Sequence, residues 1–136
     1  MKNLYLDIDG VILIKVDDEV KEADNLLEFL KYATEKFDCY WLTTHCKGDS
    51  TTAIEYLKNK VSAEAHGYLT KLKPTNWRTL KTEAIDFNKD FIWIDNYIMD
   101  AEKEVLKKNN CLDKYIKIDI VFNPAQLKEI ANNKVG

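Results

Sequence analysis

Apolar positions along the chain fall into short continuous runs and longer periodic stretches, and their order predicts strands alternating with helices. Residues 3–8 are apolar around Leu4, Tyr5 and Leu6 and stop at Asp7 and Asp9, as a short buried strand would. Residues 18–36 carry Val20, Ala23, Leu27, Leu30 and Ala33 at helical spacing with charges between them. That spacing predicts an amphipathic helix, with Asp17 or Asp18 as its cap. Residues 39–42 make a second buried run that ends at Thr43, and Asp49 and Ser50 suit the cap of a helix with Ala53, Ile54 and Leu57 on its core face. The stretch 61–74 has no clear period and holds two breakers, Gly67 and Pro74. A helix covering Trp77, Leu80, Ala84 and Ile85 is expected after it. Residues 91–94 form a third strand ending at Asp95. A helix over about 98–108, a strand near 116–121 and a last helix from Pro124, with Leu127, Ile130 and Ala131 facing the core, complete the pattern.

Such alternation implies βαβ units. The expected fold class is α/β, a three-layer Rossmann-like parallel sheet with helices on both faces, in a single domain over 1–136. Only 4 glycines and 2 prolines argue against long linkers. In open sheets of this kind, ligands gather beyond the carboxyl ends of the strands. Asp7 and Asp9 follow the first strand, Thr43 the second and Asp95 the third, so parallel and adjacent strands would bring them to one edge.

Composition narrows the function classes. The chain is 46% hydrophobic and 32% charged, and 20 basic residues nearly balance 23 acidic ones to leave a net charge of −3. That balance excludes a disordered polyelectrolyte and argues against a strongly basic nucleic-acid module. Arg78 is the one arginine, so bidentate clamps on phosphate are nearly unavailable and cationic work falls to lysines. No apolar run approaches the ~20 residues of a membrane span. Asp7 and Asp9 occupy the place of a signal-peptide apolar region. Cys39, Cys46 and Cys111 show no paired spacing and read as free thiols of a reducing compartment. A soluble cytoplasmic domain with no membrane partner is expected.

Carboxylates about 4 Å apart repel by about 4 kcal/mol at an effective dielectric near 20, so Asp7, Asp9 and Asp95 call for a cation among them. Oxygen donors with few histidines select a hard ion, and magnesium fits best. His45 and Cys46 have no partners at zinc spacing. Lys47-Gly48-Asp49-Ser50-Thr51 lacks the frame of a P-loop, and His66 reads as an ordinary loop or core histidine.

The run Leu4-Tyr5-Leu6-Asp7-Ile8-Asp9-Gly10-Val11 resembles the first motif of the haloacid dehalogenase (HAD) superfamily of phosphohydrolases. Tyr40-Trp41-Leu42-Thr43 resembles its second motif. Ile92-Trp93-Ile94-Asp95, with Asp100 further on, resembles the fourth. The resemblance runs over the whole chain in order. It implies phosphoryl transfer through an aspartyl-phosphate, with Asp7 as nucleophile and Asp9, two residues on and so on the same side of an extended strand, as acid and then base. It further implies magnesium held by Asp7, Asp95 and the Asp9 carbonyl, with Asp100 or Asn96 completing the set; many relatives have an acid where Asn96 stands. Thr43 would donate to a phosphate oxygen, Gly10 would turn the chain toward phosphate, and Thr44 and His45 join Gly10 as substrate-binding candidates. The third-motif lysine is Lys81 or Lys73, and Lys81 is preferred because a short helix and an apolar strand ending Trp-Ile-Asp follow it.

The segments between Asp9 and Thr43 and between Thr43 and Lys81 are too short for a folded cap domain, the first allowing a flap over about 10–16 and one helix. Capless relatives tend to act on large substrates, so the expected partner is a phosphorylated substrate such as a phosphoprotein or a nucleic-acid end. The last segment is also similar to small HAD domains associated with RNA repair proteins, although the scarcity of arginine weighs against a strong nucleic-acid grip. Two alternatives stand beside this reading. One is a non-catalytic domain that binds phosphate and magnesium; the other is a receiver-like domain, disfavoured because receivers carry their phosphorylated Asp on a later strand.

Overall fold

A computed structural model describes residues 1–133 of the chain. In chain order it holds strand β1 (Lys2–Leu6), a hairpin of β2 (Leu13–Val16) and β3 (Glu19–Glu22), helix α1 (Leu26–Lys36), strand β4 (Phe37–Trp41), and helices α2 (Thr51–Leu57) and α3 (Ala63–Leu69). Strand β5 (Phe91–Asp95), helix α4 (Asp100–Lys108), strand β6 (Tyr115–Lys117) and helix α5 (Gln126–Asn133) follow. The main sheet is fully parallel, ordered β4-β1-β5-β6. The chain is therefore an α/β protein with a four-stranded parallel sheet flanked by helices, consistent with a Rossmann-like fold.

Both faces of the sheet are covered, which is why its strands read as nearly continuous apolar runs. Side chains alternate across the pleat. Leu4, Leu6, Cys39, Trp41, Ile92 and Ile94 pack in one cluster with residues of α1, α3 and α5. Tyr5, Phe91 and Trp93 pack in another with Trp77, Ile85 and Leu106 of α4. Register places Leu6 beside Trp41 on one side and Ile94 on the other, so the three strands end level with one another.

Several sequence expectations need correction. Residues 19–22 belong to the hairpin, and the helix begins only at Leu26, with Leu26, Phe29, Leu30 and Ala33 as its buried face. Asp17 and Asp18 are the hairpin turn, with φ of 51° and 63°, and cap nothing. Asp tolerates the left-handed region that such a turn requires. The helical spacing of Val20 and Ala23 was a coincidence: Val20 is exposed and the Ala23 N–H donates to the Ile12 carbonyl.

Beyond Pro74 a 3₁₀ turn, Lys81–Ala84, replaces the expected helix. The Glu83 carboxylate accepts the backbone N–H groups of Arg78, Thr79 and Leu80 and so holds that stretch in a loop. The unreadable stretch contains α3, whose Ser62 cap accepts the Ala65 N–H at 3.1 Å. At α2 the Asp49 carboxylate takes the Thr51 N–H, whereas the Ser50 side chain makes no cap bond. The strand near 116–121 is shorter and earlier, because Asp119 turns the chain by accepting the Phe122 and Asn123 N–H groups. Pro124 lies just ahead of α5 rather than in its first turn. No helix among the described residues is long and apolar enough to cross a membrane.

Candidate functional site

Backbone bonding carries β1 and its neighbours slightly past their named ends. The Asp7 N–H donates to the Ile94 carbonyl at 3.2 Å and the Leu42 N–H to the Leu6 carbonyl at 2.9 Å. Asp7, Thr43 and Asp95 thus emerge at the carboxyl edge of three adjacent strands, and all three are buried. The chain then turns tightly, with the N–H groups of Val11, Ile12 and Leu13 converging on the Ile8 carbonyl. Gly10 makes this possible. Its φ is +84°, and a Cβ there would lie 2.6 Å from Asn96 Cγ, so only glycine lets this turn approach the loop after β5 so closely.

Lys81 joins the two acids. Its Nζ is 2.6 Å from Asp95 Oδ2 and 3.5 Å from Asp7 Oδ2, and the three side chains are 14%, 1% and 10% exposed respectively. Asp95 Oδ1 accepts the N–H groups of Asn96 and Tyr97 at 2.7 and 3.3 Å. Burial, and then the nearby Asp7 charge, push Asp95 up to about 7 against the opposing pull of Lys81. For Lys81 burial works against the charge, but Asp7 and Asp95 outweigh it and hold the ammonium above the ordinary lysine value. One lysine shared by two buried carboxylates thus leaves the cluster short of positive charge. The other lysine candidate, Lys73, extends the edge of β4 through its backbone and places its Nζ over the Tyr40 ring.

Asp9 is placed differently from its neighbour Asp7. Its side chain is 57% exposed and turned to His45, whose Nε2 is 2.8 Å from Oδ2, and to Tyr56, whose hydroxyl donates to Oδ1 at 3.2 Å. Thr43 Oγ1 accepts the His45 N–H at 3.4 Å, which ties this group to the end of β4. A cavity of about 570 Å³ is lined by Asp7, Lys81, Asp95 and Asn96 together with Thr44 and Trp77. Asp9, Thr43, His45 and Asp100 are not among its walls, and Asp100 is exposed at the start of α4.

Magnesium fits the donors present only in part as expected. Among the described residues no group of three His, Cys, Asp or Glu could hold a metal ion. Magnesium characteristically uses one or two carboxylates, retained waters and substrate phosphate. Asp7 and Asp95 supply two hard oxygen donors that share one lysine between them, so the pair suits that mode of binding. The Asp9 side chain, engaged by His45 and Tyr56, leaves its carbonyl as the donor it could offer.

Sequence reasoning missed two residues here. Glu102, buried on α4, accepts the Lys81 N–H at 2.7 Å and the Met99 N–H at 3.0 Å, and so fixes the turn that carries the lysine. A buried acid in a helix that reads as charged left no signal. Tyr56 is partly buried on α2, and no sequence spacing connects it to Asp9. The fold and site thus define an α/β protein with an acid–lysine–acid cluster at the carboxyl edge of its parallel sheet. No protein-family model matches the chain, and no curated protein matches it in sequence.

Proposed function

We propose that the chain is a magnesium-dependent phosphohydrolase of HAD type, acting on a phosphorylated substrate through an aspartyl-phosphate at Asp7. The observation that carries this reading is the Lys81 ammonium held between two buried carboxylates, 2.6 Å from Asp95 and 3.5 Å from Asp7, beside an open cavity. Two acids sharing one lysine make a site prepared for further positive charge and an anionic ligand.

In this mechanism an Asp7 oxygen attacks phosphorus, and Asp9 gives a proton to the departing oxygen. Lys81 offsets the repulsion between the Asp7 carboxylate and the incoming phosphate. Thr43 donates its hydroxyl to a non-bridging oxygen, while Gly10 lets backbone N–H groups approach it. Thr44 and His45 border the leaving group. Asp7, Asp95 and the Asp9 carbonyl would hold magnesium, which would supply charge stabilisation to the phosphoryl group. We also read the site as capless. Its exclusion of water then depends on the substrate itself, which suits a phosphoprotein or a nucleic-acid end.

The test is magnesium-dependent phosphate release from p-nitrophenyl phosphate by wild type and Asp7→Asn. Activity in the wild type that chelator removes and Asp7→Asn abolishes, with unfolding midpoints unchanged, is the expected result. Substantial activity in Asp7→Asn would overturn the nucleophile assignment. Phosphate binding without turnover would favour the non-catalytic alternative.

A further inference from the structure

Asp9 is an exposed carboxylate, and an exposed Asp ordinarily samples several rotamers. Here both of its oxygens are taken, Oδ2 by His45 and Oδ1 by Tyr56. The two rings that hold it also hold each other, stacked with centroids 3.9 Å apart and planes 13° from parallel. Three separate elements supply the parts: the turn after β1, the loop after β4 and helix α2. Tyr56 is partly buried against the core, while α2 docks mainly through fully buried Ala53 and Leu57, so core packing alone does not account for the two bonds to Asp9. Lys60 reinforces it from outside, its Nζ 4.5 Å from the centre of the Tyr56 ring.

We propose that His45 and Tyr56 are positioning residues that hold the Asp9 side chain in place as the base for the second half of the reaction. The inference rests on the phosphohydrolase reading and deepens it. An ionised carboxylate only accepts hydrogen bonds, so Tyr56 donates its O–H and His45 donates from Nε2. Two charge-assisted bonds, one to each oxygen, fix the direction of the carboxylate. The step served is hydrolysis of the aspartyl-phosphate. Water oxygen bonds to phosphorus as Asp9 takes the water proton, the bond from phosphorus to the Asp7 oxygen breaks with its electron pair returning to Asp7, and inorganic phosphate leaves. Formation of the intermediate from an ester with a good leaving group needs no proton from Asp9, so the clamp acts on one half-reaction.

That asymmetry gives a readout that mere loss of structure would not produce. In Tyr56→Phe, which keeps the ring and its stacking, kcat for p-nitrophenyl phosphate should fall about tenfold, a modest share of what general base catalysis supplies. KM should fall with it, leaving kcat/KM within about threefold, because only the step after the intermediate is slowed. Acid-quenched protein should show a phosphate-mass adduct on Asp7 that is scarcer in wild type. His45→Ala should lower kcat similarly, with partial recovery in His45→Gln, which retains a side-chain N–H. Independently of activity, ¹⁵N spectra should show the Nε2–H tautomer of His45 in wild type and a mixture in Asp9→Asn. A fall in kcat/KM equal to that in kcat, or a tautomer indifferent to Asp9→Asn, would overturn the clamp while leaving the phosphohydrolase reading intact. A wild type that releases no phosphate would overturn both.

Discussion

Replacing Lys81 by Met tests the charge logic of the site without any assumption about substrate. Methionine keeps the apolar bulk of the stem, and the backbone N–H bond from residue 81 to Glu102 can persist. What disappears is the ammonium between Asp95 and Asp7. At an effective dielectric near 20, a unit charge 2.6 Å from Asp95 and 3.5 Å from Asp7 is attracted by about 6 and about 5 kcal/mol respectively. These are gross figures, because burying the ammonium cost solvation that the variant recovers; breaking a buried pair costs about 3–5 kcal/mol in practice.

The variant has an escape, which sets a ceiling. It can protonate a carboxyl whose unfolded pKa is about 3.9, at about 1.4 kcal/mol per pH unit above that value, or about 4 kcal/mol at pH 7 and about 1.5 kcal/mol at pH 5. The sign follows from the raised direction of the folded pKa. In wild type Asp95, pushed up to about 7, contributes stability that is complete below the unfolded value and lost as pH rises toward about 7. Without Lys81 the loss deepens, because the lysine's opposing pull on Asp95 is gone. Lys81→Met should therefore be destabilised by about 3 kcal/mol at pH 7 and only about 1 kcal/mol at pH 5. Urea unfolding followed by tryptophan fluorescence, in chelator, measures both values. Adding Asp7→Asn should restore much of the loss at pH 7. A penalty that is the same at both pH values, or none, would refute the account of two acids sharing one cation.

Two further outcomes follow from local geometry. Gly10→Ala should cost about 2–3 kcal/mol in urea unfolding, combining the left-handed φ with the approach to Asn96, and part of this should return in an Asn96→Gly background; a neutral Gly10→Ala would contradict the tight turn. Thiol labelling of the folded protein by an aromatic disulfide at pH 8 should show one fast group, Cys111. Burial and then Asp38 push Cys39 up to about 12, leaving about one thiolate in ten thousand at that pH, and Cys46 is fully buried; fast labelling that survives Cys111→Ser would show that the sheet opens.

The sheet was legible because parallel strands buried on both faces announce themselves as apolar runs, and because their chemistry follows immediately after. Leu4 to Leu6, Cys39 to Leu42 and Phe91 to Ile94 each lead directly to a polar residue at the edge. The hairpin was not legible, since Val20 and Ala23 mimic a helical stripe while the deciding signal, two consecutive Asp residues in a left-handed turn, also passes for a helix cap. The loop before Lys81 was hidden for a related reason. Its apolar spacing suits a helix, and a single carboxylate, Glu83, captures three backbone donors and prevents one. Asp9, His45 and Tyr56 lie on three elements whose meeting no periodicity encodes.

The position of Lys81 shows how such a site can depend on parts remote from its chemistry. A 3₁₀ turn of four residues has little stability of its own and cannot aim a long side chain. Here the turn is pinned by Glu102, which also holds the Met99 N–H at the entrance to α4. The same helix packs Leu106 against the cluster containing Trp93, on the strand that ends at Asp95. One helix therefore sets the lysine through its acid and braces the strand of the lysine's partner through its apolar face. The separation of Lys81 from Asp95 is in this way fixed by a rigid element, which is what a charge cluster needs if it is to meet a ligand without rearranging.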